Sequence, residues 1–319
     1  MAKTKSTSRK KAAASNGAAT NGQASSPRLN VLKTYKMYIG GKFPRTESGR
    51  FYSLQKGKGV AIANNFRGSR KYFRNSVVAA RKAQPGWAGR AALNRGQILY
   101  RIAEMLEGRR TQFVAELVEQ GVAQAAAEQE VNVAIDRMVY YAGWCDKYQQ
   151  IFSSVNSVAS SHFNFSILEP MGVISAFAPE SFGLAGLVSV IAPVIAGGNT
   201  IVVLAAEQFP LTAITFAEVL NSSDVPGGVV NILTGHRSEL LGHFSTHMDV
   251  NGMVYTGEDK DALKEIHQNA TQNVKRVRQY HHEDWQDDAA QGPYRILDVQ
   301  ETKTTWHPIA QSMGGGGKY

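Results

Sequence analysis

Few residues in this 319-residue chain could do chemistry. Cys145 is the only thiol, so it is the one candidate for a thiolate nucleophile, and no internal disulfide can form. It lies in an aromatic run, YYAGWCDK, where a cysteine reads as a small buried apolar residue. Two histidine groups have ligand-like spacing: His243 with His247 at i, i+4, and His281-His282 beside Glu283 and Asp284. The first pair lies on or just after a short helix with no obvious third ligand, both groups read as surface histidines, and no metal is expected. The richest stretch is Thr256-Gly257-Glu258-Asp259-Lys260-Asp261, where a strand end meets a helix start. A helix N-terminus attracts anions, phosphates included. Here Glu258, Asp259 and Asp261 put carboxylates into that field, which stabilises the helix and repels a pyrophosphate.

The stretch 169–257 supplies the frame for these residues. Gly172–Ala178 is an apolar run ended by Pro179, which predicts a buried strand. Leu184–Ala196 is too long for a strand and stops at Gly197-Gly198, so it predicts a buried helix. Thr200–Leu204 is a second strand, and Pro210 opens a helix over Leu211–Leu220. Pro226-Gly227-Gly228 breaks the chain before strand Val229–Leu233, and Glu239–Phe244 supports a short helix. Met253–Tyr255, a polar helix Lys260–Asn269 and a strand Val274–Arg278 follow. The fold class expected is α/β, a doubly wound, Rossmann-like parallel sheet of about five strands.

Flanking segments complete the expectation. Lys36–Phe43 alternates around a Gly40-Gly41 turn, and Tyr52–Arg70 is weakly patterned. Helices are predicted over Tyr72–Lys82, Leu93–Glu107, Thr111–Glu119 and Ala123–Tyr148. Phe152–Leu168 reads as an extended hairpin, with Phe163, Phe165 and Ile167 on one side and His162, Asn164 and Ser166 on the other. His281–Gly292 is an acidic loop, and Arg295–His307 alternates as one strand. The expected divisions are a basic tail (1–30), an N-terminal helical part (31–150), a hairpin (151–169), the Rossmann-like part (170–280) and a final linker, strand and glycine tail (281–319).

At 43% hydrophobic the chain can bury a core, and no run of eighteen uncharged apolar residues suggests a membrane span. Six of the nine net positive charges (Lys3, Lys5, Arg9, Lys10, Lys11 and Arg28) fall in residues 1–30, which hold no acid. That segment has almost no large apolar side chain, so it reads as a solvated, disordered tail. A transit peptide and a nucleic-acid-binding arm, the latter with Lys56, Lys58, Arg67, Arg70 and Lys71, are the less favoured readings. Gly314–Gly317 reads as a flexible end.

Several ordered blocks carry a resemblance. EPMGVI from Glu169, AGGNTIVVL with EQ-x-PLTA after it, PGGVVNILTG and the YTG at Tyr255 resemble the coenzyme-binding domain of the aldehyde dehydrogenase superfamily. MYIGGKF and YYAGWCDK are similar to its N-terminal segments, so the likeness runs in order over residues 36–278. The resemblance implies NAD(P)-linked oxidation by a cysteine thiolate, an asparagine oxyanion donor and a glutamate base. Ser181 stands at the asparagine position and Tyr280 at the glutamate position. No cysteine aligns, because only residues 281–294 separate the coenzyme-type part from a C-terminal strand, where the family carries a whole catalytic domain. Leu204 replaces a ribose-binding lysine, and Arg237 and Leu241 replace glycines. Glu207, Thr256 and Gly257 are the vestigial coenzyme positions, so no cofactor is expected and NAD(P) binding, if retained, is weak. In the family the hairpin and the C-terminal strand join subunits, which points to Phe163, Phe165, Leu297, Val299 and Trp306. The resemblance thus implies a truncated, catalytically degenerate, cytoplasmic subunit that pairs with an active relative or with itself. The alternatives are a dehydrogenase subunit completed by a partner chain and a nucleic-acid-associated protein acting through its tail.

Overall fold

The computed structural model describes residues 31–46, 49–56, 59–281 and 283–309. The tail 1–30, the Gly314–Gly317 end, Lys58 and His282 lie outside the described residues, as does the side chain of Lys56. β1 (Thr34–Tyr35) runs parallel to β3 (Val60–Phe66), which forms a hairpin with β2 (Phe51–Lys56). The weakly patterned Tyr52–Arg70 stretch therefore holds an ordered strand pair, with a bulge at Leu54/Gln55 that blurs its alternation. The Lys36–Phe43 strand shrinks to bridges at Tyr38 and Ile39 around the Gly40-Gly41 turn, since both glycines have positive φ.

Five helices follow: α1 (Arg70–Ala88), α2 (Ala92–Gly108), α3 (Arg110–Glu119), α4 (Gln124–Trp144) and α5 (Tyr148–Phe152). Helical spacing puts Ile98, Ile102 and Leu106 on one buried face of α2, and Val131, Ala134, Met138 and Tyr141 on that of α4. The single helix expected over Ala123–Tyr148 breaks at Cys145. β4 (Ser154–Asn156) and β5 (His162–Pro170) form the hairpin.

The central unit alternates strand and helix: β6 (Val173–Phe177), α6 (Ala185–Ala196), β7 (Thr200–Leu204), α7 (Pro210–Asn221), β8 (Val230–Leu233), α8 (Arg237–Thr246), β9 (Gly252–Tyr255), α9 (Lys260–Ala270) and β10 (Arg276–Gln279). Its five strands are all parallel, in the order β10-β9-β6-β7-β8. β6 to β9 and all of α6 are buried, which is why they read as apolar runs rather than alternations. Gly228 (φ +100°) makes the predicted break before β8, and a Cβ there would lie 2.5 Å from the Ala79 carbonyl oxygen.

The C-terminal segment corrects an expectation. Arg295–His307 is not one strand: α10 (Tyr294–Leu297) comes first and β11 (Gln300–Pro308) begins after Val299. Pro293 sets up the turn, and Ile296 and Val299, three residues apart, are buried against the body. β11 pairs antiparallel with β5 along its whole length, giving a sheet of order β11-β5-β4. One edge of β11 is thus covered within the chain itself and only the other is open.

Candidate functional site

In a doubly wound sheet, ligands meet the carboxyl ends of the strands, where helix N-termini offer unpaired N–H groups. Three of those termini already hold a carboxylate of this chain. Glu130, buried on α4, accepts the Leu184 and Ala185 N–H groups at the start of α6 (2.6 and 3.1 Å). Glu207 accepts the Arg237 N–H at the start of α8 (2.6 Å), and its other oxygen lies 2.9 Å from His236 Nδ1. Asp259 accepts the Asp261 and Ala262 N–H groups at the start of α9 (2.9 and 3.2 Å). Each carboxylate takes both the donors and the positive end of a helix dipole.

Arg237 occupies the middle of the edge. Its guanidinium donates to the Ala178 carbonyl (2.8 Å) and pairs with Glu180 Oε1 (3.1 Å), while Glu180 Oε2 accepts the Glu207 N–H (2.9 Å). It also lies 5.3 Å from the Phe177 ring centre and 5.8 Å from that of Tyr255. Burial raises the Glu180 carboxyl above its ordinary range, and Arg237 opposes that rise. Gly257 sits against Tyr255 Oη, with Arg237 Nη1 3.0 Å from where a Cβ would lie, and Thr256 Oγ1 donates to the Phe177 carbonyl (2.9 Å). The adjoining cleft of about 620 Å³ is lined by Glu207, Glu258, Asp259, Asp261 and Glu265, with Arg237 the only cation among the described lining residues. The helix termini at this edge are thus filled by carboxylates, and the described lining of the cleft is mainly acidic.

The positions implied for chemistry lie nearby but do not form a reacting set. Ser181 is exposed in the turn before α6. Tyr280 donates to Asp298 Oδ2 (2.8 Å) and lies under the Arg295 guanidinium, 3.8 Å from its ring centre. Burial pushes its phenol far above the usual tyrosine range, and Asp298 adds to the rise, so it holds its proton rather than taking one. Cys145 is on another part of the molecule, buried at the end of α4, with Sγ 3.3 Å from the Tyr141 carbonyl. Burial pushes its thiol up to about 12, far from a thiolate at neutral pH.

Sequence reasoning missed the residues that hold the linker after Tyr280. Buried Arg137 donates to the carbonyls of Trp285 (2.7 Å) and Asp287 (2.8 Å) and to Ser189, and Arg295 pairs with Glu283 (2.9 Å). No local pattern announces these partners, because Arg137 and Trp285 lie 148 residues apart. Glu130 had one legible signal, a carboxylate on the inward face of an amphipathic helix.

The five residues implied for subunit contact divide into three groups. Phe163 and Phe165 share one face of the β11-β5-β4 sheet with Val155 and Ile167. Trp306 pairs with Asn164 on the opposite face and is exposed. Val299 is buried and does not present itself to a partner, contrary to expectation, while Leu297 is half-buried against the core. His243 and His247 lie on and just beyond the end of α8. Among the described residues, no group of three or more His, Cys, Asp or Glu side chains is arranged to hold a metal ion. No described helix is long and apolar enough to cross a membrane.

Comparison with known proteins agrees with the fold. The model of the aldehyde dehydrogenase family matches residues 44–279. Cytosolic 10-formyltetrahydrofolate dehydrogenase of Mus musculus is 31% identical over 256 residues, covering 78% of this chain and 28% of that protein. The putative aldehyde dehydrogenase DhaS of Bacillus subtilis (strain 168) is 30% identical over 249 residues, covering 76% and 50%. The chain thus spans half or less of the length of these relatives. Among solved structures, lactaldehyde dehydrogenase from Escherichia coli superposes with a TM-score of 0.74 at 26% identity, covering 78% of this chain and 52% of the other. The NAD+ complex of aldehyde dehydrogenase from Bacillus cereus gives 0.73 at 25%, covering 78% and 51%. With its parallel five-stranded sheet and a family match over most of its length, this chain belongs to the aldehyde dehydrogenase family.

Proposed function

We propose that this chain is a non-catalytic subunit of an aldehyde-dehydrogenase-type assembly, one that binds no coenzyme and joins a catalytically active relative. One observation carries the reading: the carboxyl edge of the sheet is internally satisfied by Glu130, Glu207, Asp259 and the Arg237–Glu180 pair. Glu207 and Gly257, the retained coenzyme positions, serve this internal network. Tyr280, at the position implied for the base, is tied to Asp298, and the only thiol is buried elsewhere. A lone free cysteine suits a reducing compartment, which supports reading the subunit as cytoplasmic.

The assembling surface in this reading is the β11-β5-β4 sheet. Val155 (70% exposed), Phe163 (46%) and Ile167 (37%) form an apolar patch on one face, and β11 has an open edge for strand addition. The test is native mass spectrometry of the chain co-expressed with an active family relative. A mixed oligomer should form with the natural sequence and be lost in the F163S/I167S variant, whose exposed substitutions leave the core intact. A natural-sequence chain that stays monomeric under these conditions would refute the assembly reading.

A further inference from the structure

A second cavity, sharing no residue with the acidic cleft, lies between α1 and α8. It measures about 510 Å³. Arg70 and Arg74 stand one turn apart on α1, facing His243 on α8 and His247 just beyond its end. Among the described residues that line the cavity there is no carboxylate. Phe73 forms its floor, stacked on Phe244 at 4.1 Å and edge-on to His247 at 5.7 Å, and exposed Met248 forms part of its rim.

The arginines of this cavity differ from most others in the chain. Arg50 and Arg67 share Glu239, Arg109 pairs with Glu218 and Arg237 with Glu180, yet neither Arg70 nor Arg74 has a polar partner among the described residues. Two like charges one turn apart repel, and the first turn of a helix disfavours cations. α1 has no acid in that turn and no side-chain cap to offset them. Asp249, two residues past His247, is engaged: it lies 3.7 Å from Arg81, and its N–H donates to His247 Nδ1 (3.2 Å), which leaves the ring proton on Nε2. Lys275 adds a cation behind the site, donating to the His247 carbonyl (2.9 Å).

We propose that this cavity binds a small phosphorylated molecule. Paired guanidinium forks suit phosphate oxygens, the imidazoles add donors, and Met248 offers an apolar contact for the remainder of the ligand. The site is independent of the assembly reading, since it uses neither the β11-β5-β4 sheet nor the sheet edge.

The probe is inorganic pyrophosphate, titrated calorimetrically into the full chain at low ionic strength. Saturable binding with a dissociation constant below about 1 mM is expected. R70Q/R74Q should weaken it at least about tenfold, while K42Q/R45Q, which removes equal charge elsewhere, should change it less than about twofold. All four residues are exposed, so thermal melts should confirm that both variants fold. Sedimentation with phosphatidylcholine vesicles, with and without a phosphoinositide, separates the sources. Retention released by pyrophosphate identifies a lipid headgroup, and pyrophosphate binding without retention identifies a soluble phosphate. No saturable heat, or equal losses in the two variants, would overturn the proposal.

Discussion

Replacing Arg237 by alanine should destabilise the chain, and the loss should grow with pH. The substitution removes the ion pair to Glu180 (3.1 Å), the hydrogen bond to the Ala178 carbonyl (2.8 Å) and the ring contacts to Phe177 and Tyr255. A charge-assisted hydrogen bond contributes about 1.5–3 kcal/mol, and the partial exposure of both side chains (20% and 36%) argues for the lower end. A loss of about 2 kcal/mol at pH 7.5 follows. Burial raises the folded-state Glu180 carboxyl above its unfolded value, so the folded chain holds the extra proton between the two values. Stability from this group is therefore fully present below the unfolded value and falls as pH rises through the folded one. Arg237 limits that fall. Without it the folded value rises further, so R237A pulls away from the natural sequence as pH increases. Near pH 4 only the orphaned carbonyl and ring contacts should cost stability, about 1 kcal/mol. Urea denaturation at both pH values reads the gap, and on an E180Q background its pH dependence should vanish. A gap that is constant with pH, or that survives E180Q, would refute this account of the Arg237–Glu180 pair.

Arg137→Ala should cost about 3 kcal/mol in urea denaturation, because it strands the buried Trp285 carbonyl and the part-buried Asp287 carbonyl, and a loss under about 1 kcal/mol would show the linker is held by other contacts. Cys145, pushed up to about 12 by burial, should react with a disulfide reagent at pH 8 about 1000-fold more slowly in the folded chain than in urea. Comparable rates in the two states would mean a reactive thiol.

The doubly wound core was legible in the sequence because burial on both faces leaves unbroken apolar runs. Thr200–Leu204 spans β7 to the residue, and Pro210 opens α7 where it was expected. The C-terminal strand was misread at its start because Leu297, Val299 and the residues after them alternate like a strand, while Ile296 and Val299 also satisfy a helical spacing against the body. Periodicity over so short a run cannot choose between them. At the candidate site, Asp259 was legible since it caps its own helix two residues on. Glu130 showed only as a carboxylate on an inward helix face and Arg237 not at all, because their partners at Leu184 and Ala178 come from elements distant in sequence. The acidic sign of the cleft was readable from Glu258, Asp259 and Asp261, whereas the closure of its centre by a guanidinium depends on tertiary packing.

The claim that the sheet edge is closed to coenzyme is tested most directly by calorimetric titration of the purified full chain with NAD+ and NADP+. With Glu130, Glu207 and Asp259 on the helix termini and Arg237 paired across the edge, no saturable heat should appear up to about 1 mM of either. A one-to-one isotherm with a dissociation constant of about 10 μM or tighter would contradict the account.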